Sequence, residues 1–375
     1  MRTKRRSRGI PALAIVALAL SGCEVGPKYK TPSVPAPPAY SESGHNGDWT
    51  AAAPSDAEDR GDWWTIYADS ELNDLEQRCA KANQNIEAAL HAYEQAHDLV
   101  RENRASLFPT VSIGASASRN RLSDTTPLRA VGAPTGYWEF LIPLNISWEP
   151  DLWGGIRRQI ESSAANAQAS AANLANTRLS LQGMLAVTFF QLRGLDLQAQ
   201  LLRSTLDAYT EALQLTQARL KGGLASEIDV DEAQAQLEEA RAQLVDLGVE
   251  RAQYEHAIAV LVGEPAIDFH IPEQPLTGAP PSIPTGVPSQ LLERRPDIAA
   301  AERQVAAANA LIGVAKAAYY PNISLGAQGG LESDQVSKVF NAGSAEWNAG
   351  PSVSQVIYDA GRRKAQVDYA VAQRA

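Results

Sequence analysis

The sequence predicts a mainly α-helical protein with a few strands of membrane-crossing length, built from two similar halves. Three observations carry this. Shifting the chain by 212 superposes residues 86–117 on 298–329. Ile86, Ala88, Ala89, Ala96, Leu99, Ala105, Pro109, Ser112, Gly114 and Ala115 then fall on Ile298, Ala300, Ala301, Ala308, Leu311, Ala317, Pro321, Ser324, Gly326 and Ala327. A repeat of that length is a supersecondary unit used twice. Ile156 to Lys221 contains no proline, which predicts one helix of roughly 66 residues, about 100 Å long. Tyr137 to Trp148 places Trp138, Phe140, Ile142, Leu144, Ile146 and Trp148 on one face, at the length of about 9–11 residues that a tilted membrane strand needs.

The elements follow in order. Residues 1–22 read as a signal peptide: Arg2, Lys4, Arg5, Arg6 and Arg8 precede an apolar run of 11 residues from Ile10 to Leu20. A spanning helix needs about 20. Leu20-Ser21-Gly22-Cys23 resembles a bacterial lipobox, which makes Cys23 the expected lipid (palmitate-bearing) attachment site. By the resemblance to bacterial lipoproteins, Glu24 after it implies sorting to the outer membrane. Residues 23–62, rich in proline and serine, predict an extended strap. Cys79, the second of two cysteines, leaves no disulfide framework and suits helix packing. Removing the leader takes the formal charge from −10 to −15, which argues against nucleic acid as a partner.

Asp69 and Ser70 predict a helix start, with the helix running from about Glu71 to Ala105 before Pro109. Thr110 to Ser118 alternates as a strand, and the Tyr137–Trp148 strand returns beside it. Trp138, Phe140, Trp148 and Trp347 are expected at membrane interfaces. The long helix ends at Gly222-Gly223-Leu224-Ala225-Ser226, a hairpin tip. A second helix runs from about Glu227 to Val262. Its seam is Ala233, Leu237, Ala240, Leu244, Leu247, Tyr254, Ile258 and Leu261, broken by Arg251: a coiled-coil pattern. The two shorter helices together match the long one in length, so stacked end to end they would flank it. Residues 264–288, with seven prolines, form a linker after the first repeat (63–263). The second repeat, 289–375, has strands at about 322–330 and 347–357. Its long helix opens near Gly361, and the copy is expected to be incomplete.

No nucleophile–base pair, phosphate loop or metal cluster is present, so no enzyme or cofactor is expected. His91, Glu94 and His97 lack the i, i+4 spacing of a zinc helix. Arg294-Arg295-Pro296-Asp297 suits a helix start.

Several stretches together resemble the outer-membrane factors of tripartite efflux pumps, the TolC-like channels, in their lipoprotein branch serving RND transporters. They are Cys23-Glu24-Val25-Gly26-Pro27-Lys28-Tyr29, Trp63-Trp64-Thr65-Ile66-Tyr67, Trp148-Glu149-Pro150-Asp151-Leu152-Trp153-Gly154, Gly223-Leu224-Ala225-Ser226, Leu291-Leu292-Glu293-Arg294-Arg295-Pro296-Asp297-Ile298 and Tyr358-Asp359-Ala360-Gly361-Arg362-Arg363. The resemblance implies a homotrimer. Each chain would give four strands to a shared twelve-stranded outer-membrane β-barrel, and its helices would form a periplasmic α-barrel. It also implies a periplasmic adaptor (membrane fusion) protein at the 222–226 tip, an inner-membrane RND transporter as energy source, and outer-membrane lipid around the strands. The gate aspartates of the family fall in the part of copy two that is not here. Pro150 replaces the family's usual aliphatic residue, so a kink is expected there. The expected role is passive exit of drugs or other small toxic molecules. The alternatives are a type I secretion exit channel for proteins and a non-conducting lipid-anchored coiled coil.

Overall fold

The computed structural model describes residues 24–31, 61–123, 136–276, 280–281 and 295–375. Cys23, the signal peptide and most of the strap lie outside them, as do Leu291 to Arg294 and part of the proline linker. In order, the elements are a 3₁₀ turn (Trp63–Tyr67), α1 (Ser70–Ala82), α2 (Gln84–Ala105), β1 (Thr110–Ile113), β2 (Ser116–Arg121), β3 (Gly136–Trp148), α3 (Gly155–Lys221), α4 (Glu227–Val262), α5 (Pro296–Ala317), β4 (Asn322–Ser333), β5 (Ala345–Ser354) and α6 (Arg362–Arg374). The repeat is visible in the boundaries: α2 and α5, and then β1 and β4, begin 212 residues apart.

The predicted helix over 71–105 is two helices. Asn83 breaks it with an extended ψ of 121°. Its Oδ1 accepts the amides of Asn85 and Ile86 and so caps α2, while its Nδ2 donates 2.8 Å to the Leu261 carbonyl. A side chain that satisfies free amides at a helix start competes with continuing the helix. Glycines 183 and 194 sit inside α3 without breaking it.

Contacts divide the chain into two units, each taking parts of both repeats. A helical unit holds residues 34–93 and 170–300, and a sheet unit holds 1–33, 94–169 and 301–375. The helical unit has its core where Leu72, Leu75 and Cys79 of α1 meet Leu185, Phe189 and Leu192 of α3 and Ile258 and Val262 of α4. The three- and four-residue spacings put each set on one helix face. The seam of α4 faces inward: Leu237, Ala240, Ile258 and Leu261 are buried.

In the sheet unit the ladder runs (β1, β2)–β3–β4–β5, all antiparallel. β1 and β2 are one strand in one register on β3. The interruption falls at Gly114, opposite Pro143, which has no N–H to give; Gly114 instead donates 3.0 Å to the Pro143 carbonyl. The two outer strands leave one open edge each.

Candidate functional site

The registers assign every strand residue to one of two faces. One face carries Ser112, Ser116, Ser118 and Asn120; Glu139, Asn145 and Ser147; Asn322, Ser324, Gln328 and Glu332; and Glu346, Asn348, Ser352 and Ser354. The other carries Val111 and Ile113, with Arg119 and Arg121 at the far end; Trp138, Phe140, Ile142, Leu144, Ile146 and Trp148; Ile323, Leu325 and Leu331; and Trp347 and Val353. Such a dyad, polar one way and apolar the other, is the pattern of a barrel wall between lipid and water. Ile113, Val353 and Trp347 are 75%, 64% and 83% exposed in the single chain, so the apolar face has no core of its own to cover it.

Trp138 and Trp148 bracket the apolar run of β3. Ten residues at ~3.4 Å extend about 34 Å along the strand. Tilted by ~40° that is roughly 25 Å, the height of an outer-membrane apolar band. Trp148 donates Nε1–H 2.9 Å to the Leu107 carbonyl, at the helical end. Trp138 stacks on Phe140 with centroids 5.8 Å apart. Trp347 faces Gly329, which faces Leu144, placing it nearer the middle of the run. The polar face carries three carboxylates, Glu139, Glu332 and Glu346, and no Lys or Arg among the described residues. The aromatics stand out in the sequence and these acids do not, although strand alternation places them on the opposite face.

Each return strand is fixed to its helix by an aspartate. Asp151 accepts the amides of Ile156 (3.0 Å) and Arg157 (2.9 Å) and pairs with the Arg157 guanidinium. In the second copy Asp359 accepts Gly361 and Arg363 amides and pairs with Arg363 at 2.6 Å. Hydrogen bonding from Arg363 holds the Asp359 carboxyl below its usual range. Pro150 begins a tight turn at the first junction, its carbonyl accepting from Leu152 N at 2.8 Å.

The segment just after Cys23 is built into the sheet unit. Val25 N donates to the Trp153 carbonyl, Arg158 Nε donates 3.2 Å to the Val25 carbonyl, and Asn309 Nδ2 donates 3.0 Å to the Pro27 carbonyl. Gly26 has φ +114° and lies against Gly313, where an added Cβ would come within 2.5 Å of the Gly313 Cα. Gly26→Ala should therefore undock this segment, because backbone cannot move aside as a side chain would. Trypsin cleavage at Lys28 and Lys30 in the folded protein should rise at least several-fold; unchanged protection would refute the docking.

At the hairpin tip α3 closes by donation from Leu224 N to the Arg219 carbonyl (2.8 Å) around Gly223, whose φ is +72°. Ser226 opens α4 in a reciprocal cap with Asp229, which lowers the Asp229 carboxyl pKa. Leu224 and Ile228 are 83% and 68% exposed.

A polar network unseen in the sequence crosses the helical unit. Asp196 receives Arg251 Nε at 2.7 Å, Arg193 at 3.2 Å and the Gln274 amide at 3.0 Å. Arg193 also reaches Glu71 and the Pro272 carbonyl, and Glu255 accepts the Ile271 amide and His270. Its signal was Arg251, the residue that breaks the α4 seam. His91 pairs with Glu87 at 3.2 Å, and among the described residues no group of acids, histidines and cysteines could hold a metal.

A family model described as outer membrane efflux protein matches residues 75–264 and 287–375. The chain is 32% identical to the solvent efflux pump outer membrane protein SrpC of Pseudomonas putida, over 98% of this chain and 77% of that protein. It is 29% identical to the cation efflux system protein CusC of Escherichia coli O6:H1, over 95% and 75%. Among solved structures it resembles the outer-membrane channel OprN, with a TM-score of 0.80 and 31% identity, over 94% of this chain and 77% of that one.

Proposed function

The chain belongs to the outer membrane efflux protein family, the outer-membrane channel components of efflux pumps, and from that premise we propose that it is the passive exit duct of a tripartite system. Three copies would close their strands into one twelve-stranded barrel. The observation that carries this reading is the two-faced sheet with two open edges. In lipid every backbone polar group needs a partner, and an unsatisfied one costs several kcal/mol. Four strands per chain cannot meet that demand alone; edge-to-edge pairing of three copies does. The polar face then lines water and the apolar face meets lipid. Cys23 would carry a lipid anchor, and the docking of residues 24–31 supports this by fixing the chain that follows it.

SrpC is named for solvent efflux and CusC for cation efflux; we read small toxic molecules, drugs included, as the cargo here. A periplasmic adaptor would meet the tip at Gly222, Gly223, Leu224, Ala225 and Ser226, and an inner-membrane RND transporter would supply the energy. The exposed apolar Leu224 supports the tip assignment. Reconstituted full-length chain should give heat-resistant trimers that conduct ions. A monomer that inserts without conducting would sink the reading in favour of an anchored coiled coil. Leu224→Asp should cut adaptor crosslinking about tenfold or more with trimers intact, since a buried apolar anchor is commonly worth 2 kcal/mol. Crosslinking at the parent level would leave the tip a plain turn.

A further inference from the structure

The charges on the sheet are sorted by sign, and the sorting points outward. All three carboxylates stand on the polar face. The apolar face carries two charged residues among the described strands, Arg119 and Arg121, both on β2. They sit at the end of the strand far from the helices. Arg119 lies directly opposite Trp138, with its guanidinium carbon 5.5 Å from the Trp138 ring centroid, and both arginines are exposed.

From this geometry we propose that Arg119 and Arg121 form a docking patch for the phosphates of an anionic lipid headgroup at the outer rim of the barrel. The inference rests on the channel reading, which turns the apolar face toward lipid and the helices toward the periplasm. An arginine on the lipid face is costly at mid-membrane and nearly free at the interface. The height of Trp138, at the limit of the apolar run, places Arg119 at that interface. There the ring supports the guanidinium plane by cation–π contact. The fork geometry of arginine matches phosphate oxygens two at a time. Residues i and i+2 on one strand face are about 7 Å apart, close enough to serve two phosphates of one headgroup. No carboxylate stands on this face of the described strands.

The test uses full-length trimers in phosphatidylcholine nanodiscs doped with bisphosphorylated lipid A or with its dephosphorylated form, with bound lipid read by native mass spectrometry. The wild type should retain the bisphosphorylated lipid about tenfold over the other, as two interfacial cations would give. Arg119→Gln/Arg121→Gln should bring the ratio close to one, and Arg119→Lys/Arg121→Lys should keep part of it. Equal retention of the two lipids by the wild type overturns the proposal. Displacement by millimolar inorganic pyrophosphate, with no preference between lipids, assigns the patch to free anions and also overturns it. If the glutamine variant fails to trimerise, the wild-type ratio alone decides. Absence of membrane-inserted wild-type trimers would instead remove the channel reading, and this proposal with it.

Discussion

Asp196→Ala is expected to cost about 2–3 kcal/mol, from the loss of charge-assisted hydrogen bonds to two buried guanidiniums. The Asp196 side chain is 1% exposed and accepts from two guanidiniums, Arg193 at 3% and Arg251 at 11% exposure. Without it each cation keeps one carboxylate, Glu71 for Arg193 and Glu255 for Arg251, but loses a buried hydrogen bond. The Gln274 amide also loses its acceptor. The expected readout is an apparent melting midpoint lower by about 5–10 °C at fixed scan rate, by the usual conversion of roughly 2–4 °C per kcal/mol. Cleavage near residues 272–274 should appear as well, because Arg193 and Arg251 hold the Pro272 and Ile271 carbonyls. Replacing Asp196 and Arg251 together by leucine should do less damage than Asp196→Ala alone. If the single and double changes melt alike, the network is not coupled as its geometry says.

Glu76→Leu should stabilise the protein, and increasingly so as pH rises. Glu76 is fully buried in α1 beside Leu75 and Cys79, and neither carboxylate oxygen has a hydrogen-bond partner. Burial raises its pKa from 4.5 to about 8. The folded protein thus keeps a proton that the unfolded chain releases between those values. Folding stability falls as pH climbs through the window, and above about 8 the full penalty stands. At pH 7 the penalty is on the order of 3–4 kcal/mol, at about 1.4 kcal/mol per pH unit. Melting midpoints of wild type and Glu76→Leu should coincide most closely near pH 5 and separate by several degrees at pH 8–9. Parallel curves across that range would show that the carboxyl reaches water. The Cys79 thiol, pushed to about 11 by burial and then by Glu76, stays protonated throughout.

The repeat, the helical hairpin and the strand faces were readable in advance because they rest on local periodicity. The 212-residue shift pairs α2 with α5 and β1 with β4, while the break at Asn83 that starts α2 is not visible in it. What escaped the sequence depends on partners far along the chain. Asn83 ends α1, whereas Asn173 and Asn176 lie inside α3 undisturbed. The difference is the Leu261 carbonyl, 178 residues away, waiting for the Asn83 amide. Arg251 read as a flaw in a seam because its acceptor, Asp196, belongs to another helix. The pause at Gly114 came from Pro143 on the neighbouring strand. Glu76 occupies a core position in helical period with Leu72 and Leu75, and no sequence pattern announces a carboxyl left there unpaired.

The unbroken registers of the sheet set which length changes the molecule can absorb. Ser147 lies opposite Thr110 in the first hairpin and Ser354 opposite Asn322 in the second, with five fewer residues between the partners. The two copies have therefore diverged by an odd number of residues without exchanging their faces, because the connection between strands took up the difference. A single residue inserted within β3 would have no such outlet. It would move every side chain beyond it to the opposite side of the wall, sending Glu139 toward hydrocarbon and Phe140 toward water. Gains and losses of length are thus confined to the hairpin ends, where a variable outer rim can be edited while the conducting wall between the tryptophans keeps its count.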